Sequence, residues 1–230
     1  MGGFGRHQWK IAIIQSLCMA MGSYAVYPMG FYELQPSYLC SSDEVNWYSC
    51  TNDVFCPNLR KDSIPTPYYK VDLASESSLK NWVGQFDLDC SPKTDFGLFG
   101  SSFFAGVVLG SLILPRLSDI YGRRRIALIG NILHVVSGVI LLFSTKFSFA
   151  LFLIFLMGLA MGARVFVGYV FMSENMRNED VSKVTIYMFV LDSLSIFVSA
   201  LYFRAISKDW RFVFGIPLLV VCCSTFFMYL

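Results

Sequence analysis

The chain has 230 residues, 55% of them hydrophobic and 15% charged, with a mean hydropathy of +0.56, whereas an ordinary soluble domain carries about 25% charge. This composition excludes a disordered chain, a collagen and a small disulfide scaffold, and it points to a membrane protein. The net charge of +2 selects no particular partner, because the placement of charge matters more than its sum, and no nucleic-acid partner is expected.

Apolar runs of about 20 residues cross a hydrocarbon core of about 30 Å when helical, at about 1.5 Å per residue. Such runs fall at 11–32, 96–118, 126–145, 147–172, 185–202 and 212–230. None alternates as a barrel strand does, so the fold class is an all-α membrane protein with a six-transmembrane-helix bundle. Only a turn around Lys146 separates the third span from the fourth, which predicts an antiparallel helical hairpin. The first span reads either as a retained anchor or as a cleaved signal peptide. Its apolar length exceeds the usual 7 to 15 or so residues of a signal peptide and favours the anchor. The organisation is therefore 1–32 as amino terminus and first span, 33–95 as a large loop, and 96–230 as spans two to six.

Orientation follows from Lys and Arg in the short connections. Arg6, Lys10, Arg116, Arg123, Arg124, Arg125, Arg177 and Lys183 fall on one side, against Lys146, Arg204, Lys208 and Arg211 on the other. The richer side is cytoplasmic, so both termini are expected there and the loop outside. Within the loop, Cys40, Cys50, Cys56 and Cys90 suit two disulfides in an oxidising compartment, with pairing left open. A zinc site is the competing reading, but no CxxC spacing or histidine accompanies the cysteines. No metal or cofactor is expected. The loop's ten acidic and five basic residues either concentrate cations weakly at an entrance or keep a solvated ectodomain soluble. Cys18, Cys222 and Cys223 lie inside spans and read as packing residues.

Between spans two and three the chain reads PRLSDIYGRRR over 115–125. This resembles the GxLxDRxGRR signature of the major facilitator superfamily, with Leu117, Asp119, Gly122, Arg123 and Arg124 in matching places. Pro115 and Ile120 replace the signature's first glycine and first arginine. Physically, a tight junction uses Gly122 for backbone freedom, keeps the arginines at the interface, and sets Asp119 at the positive end of the next helix. Further matches are FYELQPSYLC at 31–40, QFDLDC at 85–90, SSFFAGVVLGS at 101–111, GYVFMSE at 168–174 and DWR at 209–211. Together they resemble the organic cation, organic anion and carnitine transporters of that superfamily. The resemblance implies a conformational latch of Asp119, Gly122, Arg123, Arg124 and Glu174, with Glu174 pairing to Arg123 or Arg124; the alternative is an exposed Glu174 without a fixed partner. It also implies that Tyr169 stands where a tyrosine of the fourth helix touches substrate, although Val165 replaces the family's accompanying tryptophan.

Polar groups inside the spans carry their own meaning, since each charge in hydrocarbon costs about 2.5–3.5 kcal/mol on insertion scales. Arg164 and Asp192 either pair with one another, line a substrate route, or snorkel. Gln15, Tyr24 and Tyr27 are further cavity candidates, and Tyr169 is either a cation–π contact or a packed tyrosine. His134 reads as a satisfied bundle residue. Asp209 reads as a helix cap and Trp210 as a headgroup-level anchor. The GxxxG pairs Gly106/Gly110 and Gly158/Gly162 predict close helix packing. No Walker A, GxGxxG, HExxH or GxSxG pattern is present, so no enzyme is expected.

The resembled fold has twelve helices in two halves, and this chain reads as its amino-terminal half, with a missing carboxy-terminal six-helix half as partner beside the lipid bilayer. The expected activity is alternating-access transport of small organic ions (cations, anions or zwitterions such as carnitine) by a multi-pass protein of the plasma membrane. The alternative is a non-transporting structural or assembly subunit that keeps the six-helix bundle.

Overall fold

The computed structural model describes residues 5–43, 45–59, 68–75 and 78–229. Residues 44, 60–67 and 76–77 of the predicted loop, and Leu230 at the predicted end of span six, lie outside the described residues. Six helical stretches are long and apolar enough to cross a membrane: Arg6–Tyr32, Lys93–Tyr121, Arg123–Phe143, Phe147–Glu174, Asn178–Ala205 and Trp210–Tyr229.

The first stretch is broken. Helix α1 (Arg6–Gly22) passes into a 3-10 turn (Ser23–Ala25) and then into the four-residue α2 (Met29–Tyr32). Pro28 accounts for the interruption, because its ring lacks an N–H and disfavours helical backbone in the residue before it. The fifth stretch begins seven residues before its apolar run, at Asn178 rather than at 185. Its first turn carries Glu179 and Asp180, which complement the positive helix end, and Arg177 closes onto Asp180 at 2.8 Å.

Between the first and second stretches the chain forms β1 (Tyr38–Ser41), β2 (Tyr48–Cys50), α3 (Asn52–Leu59), β3 (Tyr68–Val71) and α4 (Trp82–Gln85). The strands make an antiparallel sheet in the order β2-β1-β3. Cys40 is bonded to Cys50 and Cys56 to Cys90, so the cysteines are disulfides and not zinc ligands.

The long helices follow as α5 (Lys93–Tyr121), α6 (Arg123–Phe143), α7 (Phe147–Met161), a π-helical segment (Gly162–Val167), α8 (Gly168–Glu174), α9 (Asn178–Ala205) and α10 (Trp210–Tyr229). Three residues join α6 to α7, as the turn around Lys146 requires. The tightest packing lies between α5 and α7. A Cβ at Gly106 would meet the Phe155 carbonyl, one at Gly158 the Phe103 carbonyl, and one at Gly110 the Leu159 carbonyl at 2.5 Å. Lipid tails are as apolar as side chains, so close backbone approach supplies the dispersion contacts that join such helices.

The predicted loop is stitched to one end of the bundle. Gln85 Nε2 donates to the Ser144 carbonyl at 2.8 Å and to the Leu141 carbonyl at 3.2 Å, capping α6. The Lys80 N–H donates to the Lys208 carbonyl at 2.8 Å and the Trp210 N–H donates to the Lys80 carbonyl at 3.1 Å, and Asn81 Nδ2 donates to the carbonyls of Phe31 and Leu34. Trp210 does not anchor in headgroups. It is buried against Tyr32, Trp82 and Phe214, and its Nε1 donates to Gln85 Oε1 at 3.1 Å. The reason is steric: the covering loop turns this position into core. Asp209 caps α10 through a 3.0 Å bond from the Arg211 N–H.

Glu33, one residue beyond the first stretch, keeps a buried Oε1 with no hydrogen-bond partner among the described residues. Burial pushes its carboxyl pKa from an ordinary 4.5 up to about 7. Between those values the folded chain holds a proton that the unfolded chain has released, so folded stability falls as pH rises through that window and levels above it. Glu33→Gln is expected to remove this decline when unfolding midpoints are compared at pH 5 and pH 8; an unchanged decline would refute the assignment. At the helix contact, Gly158→Val is expected to lower stability by about 1–3 kcal/mol. Gly97→Ala, where nothing lies within 4 Å of an added Cβ, is the matched control, and equal unfolding midpoints for the two would contradict the packing account.

Candidate functional site

The break in the first span is gripped from two sides by charge. Arg164 sits in the π-helical segment, which inserts an extra residue into its turn: the Gly168 N–H reaches back to the Ala163 carbonyl. From there the buried Arg164 side chain enters the bundle. Its Nε donates to Asn131 Oδ1 at 3.1 Å, and Nη2 donates to the Cys18 carbonyl on α1. A Cβ at Gly22 would fall on the guanidinium, so only glycine leaves room for it. Gln15 returns the contact, its Nε2 donating to the Arg164 carbonyl at 2.9 Å.

One residue beyond Gly22, Ser23 Oγ donates to Asp192 Oδ1 of α9, and Tyr27 OH donates to Asp192 Oδ2 at 2.7 Å. Asp192 is buried, whereas Tyr27 is 44% exposed. Arg164 and Asp192 therefore do not form the direct ion pair that two isolated intramembrane charges suggest. Each is satisfied separately by the first span, whose Gly22–Ser23 segment lies between their partners. Neutral hydroxyls hold the carboxylate, and an amide and a peptide carbonyl hold the guanidinium.

The remaining candidates divide. Tyr24 is buried in the main apolar core, where its carbonyl accepts from Tyr32 OH at 2.7 Å. Tyr169, on α8, is 36% exposed and makes no hydrogen bond to a described residue. His134 is not satisfied as expected: it is buried, and its Nδ1 has no partner among the described residues. Arg164 donates to neighbouring Asn131, and the imidazole lies beside a cavity of about 10 Å³ lined by His134, Arg164, Gly22 and Ser23. Cys18 is buried, whereas Cys222 and Cys223 are exposed on α10 and are not core packing residues. Asn131, Ser23 and Gly22 were missed by sequence reasoning. The lone amide in span three, and a Gly-Ser step before Pro28, were the signals available.

At the other end of the bundle from the sheet, Gly122 ends α5 with φ of +95°, a conformation that glycine alone adopts without strain. The turn sets Arg123 3.2 Å from Asp119 and 2.9 Å from Glu174. Arg124 does not join this cluster. Its Nη2 donates to the carbonyls of Met228 and Tyr229 at 2.6 and 2.7 Å, at the end of α10. The Glu174 side chain is 50% exposed, and exposed pairs of this kind contribute about 0–1 kcal/mol. They are cheap to open and reform.

The sequence profile of the Major Facilitator Superfamily matches residues 63–230. The chain belongs to the major facilitator superfamily. Among its superfamily relatives, organic cation/carnitine transporter 6 of Arabidopsis thaliana is 24% identical over 194 residues, covering 82% of this chain and 37% of the relative. Organic cation/carnitine transporter 3 of the same plant is 26% identical over 231 residues, 97% of this chain and 43% of the relative. Solute carrier family 22 member 6-B of Xenopus laevis is 26% identical over 200 residues, 74% of this chain and 36% of the relative. The chain thus spans less than half the length of these relatives. A crystal structure of a D-xylose-proton symporter superposes with a TM-score of 0.60 at 15% identity, covering 96% of this chain and 47% of that one. This likeness shows the fold.

Replacing Arg164 with Leu leaves Asn131 Oδ1 and the Cys18 carbonyl unpaired and is expected to cost about 1–3 kcal/mol of stability. Gly22→Ala is expected to cost about 1–3 kcal/mol by displacing the guanidinium. The double variant should lose less than the sum of the two, because the added methyl has room once the arginine is gone. Additive losses in unfolding measurements on the detergent-solubilised protein would show that the two residues do not meet.

Proposed function

We propose that the chain forms one six-helix half of an alternating-access carrier for small organic ions, with a second six-helix half completing a site near the bilayer midplane. Membership of the superfamily supports this reading, as do relatives described as organic cation/carnitine transporters. The arginine-rich end is then cytoplasmic with the amino terminus, the disulfide-bonded sheet lies outside, and the plasma membrane is the site of action.

The observation that carries the choice of substrate is the difference between the two buried charges. Arg164 is spent on the first span and on Asn131, within a cage that admits no side chain at Gly22. Asp192 has no cationic partner among the described residues; two neutral hydroxyls hold it, one of them on half-exposed Tyr27. A substrate's ammonium group supplies what this carboxylate lacks. Tyr169 offers an aromatic face worth about 0.5–2 kcal/mol to such a cation. Asp119, Gly122, Arg123 and Glu174 then open and reform at the cytoplasmic end as the halves rock.

Uptake of a quaternary ammonium probe and of a carboxylate probe of similar size by cells making the complete gene product tests this reading. Asp192→Asn keeps the shape of the side chain and removes its charge, so ammonium uptake is expected to fall about tenfold or more at equal surface expression. Carboxylate uptake that exceeds ammonium uptake and ignores Asp192→Asn would overturn the assignment of charge. Uptake of neither probe would favour the structural or assembly subunit.

A further inference from the structure

At the end of the bundle away from the sheet, a cavity of about 290 Å³ opens among the ends of four helical elements. His7 and Lys10 come from the start of α1 and Arg124 from the start of α6. Phe171 and Asn175 come from the end of α8, and Phe227 from the end of α10. We propose that this cavity binds a phosphate-bearing anion at headgroup level. The site goes beyond the transport reading and does not depend on it.

The chemistry of the lining is one-sided. Three side chains that carry or can take positive charge face the cavity, and among the described residues no carboxylate does. The nearest acid in sequence, Glu174, is engaged by Arg123 at 2.9 Å, and Asp180 by Arg177 at 2.8 Å. His7 and Lys10 make no hydrogen bond or ion pair with a described residue, so their donors are free for a ligand. Arg124 is held in place as a wall, because its Nε and Nη2 are fixed on the Met228 carbonyl. Asn175 is likewise oriented, its Nδ2 donating to the Phe171 carbonyl at 2.7 Å. Helices α1 and α6 present their amino-terminal first turns here, which favour an anion, while α8 and α10 present carboxy-terminal ends, with Arg124 occupying the Met228 and Tyr229 carbonyls of α10. The cavity matches the small end of ligand pockets, which begin at about 300 Å³.

Phe227, 55% exposed at the rim, gives the site an apolar lip. An anionic phospholipid headgroup and a soluble phosphate ester share the phosphate that the cations recognise. An organic cation is repelled, so the cavity is distinct from the Asp192 site.

Native mass spectrometry on the detergent-solubilised full chain, with phosphatidylglycerol and phosphatidylcholine as probes and inorganic phosphate as competitor, tests the proposal. Phosphatidylglycerol is expected to bind preferentially, and Lys10→Gln to weaken it about fivefold. Arg125→Gln removes the same charge from the same end but lies outside the cavity, and it should change binding less than about twofold. Retention of the lipid against inorganic phosphate identifies a headgroup site, whereas displacement identifies a soluble phosphate ligand. Equal effects of the two variants, no effect of Lys10→Gln in protein shown to be folded by circular dichroism, or no preference for phosphatidylglycerol would each overturn it.

Discussion

A cation and an anion, neither of which can stand bare in hydrocarbon, hold a single interrupted helix between them. At about 2.5–3.5 kcal/mol per unpaired charge on insertion scales, Arg164 and Asp192 must find partners, and a broken helix must find donors and acceptors for the backbone groups it frees. One arrangement meets both needs. The Cys18 carbonyl takes the guanidinium, the Ser23 and Tyr27 hydroxyls take the carboxylate, and the Gln15 amide caps the Arg164 carbonyl in the π-turn. The absent side chain at Gly22 makes the first of these contacts possible.

Around this polar centre the helices pack in two ways, α9 adding a buried polar tie to its apolar contacts through Met188 and Phe203. The α5 and α7 helices touch backbone to backbone through their glycines, a contact that any larger side chain would open. Helix α9, by contrast, has Asp192 as its hydrogen-bonded tie to the break in the first span. Dispersion across a close glycine contact is lost steeply with separation, whereas hydroxyl–carboxylate bonds can be exchanged for bonds to water or ligand.

The two ends of the bundle are built on different principles. At one, the disulfide-bonded sheet and α4 fasten onto the α6–α7 turn through Gln85, onto the α9–α10 turn through Lys80 and onto the end of the first stretch through Asn81, and they bury an aromatic cluster around Tyr32 and Trp210. At the other, partly exposed ion pairs around Arg123 join three helix ends with little net energy.

The six helices, the short hairpin, the glycine faces and the need for glycine at 122 were legible in the amino-acid sequence, because hydropathy, span length and backbone sterics act locally along the chain. The family was legible too, from the ordered motifs between Phe31 and Arg211. Tertiary structure alone decided which cysteines pair, that Arg123 and not Arg124 meets Glu174, that Trp210 is core, and that Arg164 and Asp192 are satisfied separately. Each of these depends on a partner far away in sequence, and the lone amide at Asn131 or the Gly-Ser step at Ser23 marks a polar position without naming the charge it meets. Hydropathy averages over a window of residues, whereas a buried charge is settled by whichever individual atoms the fold brings within about 3 Å of it.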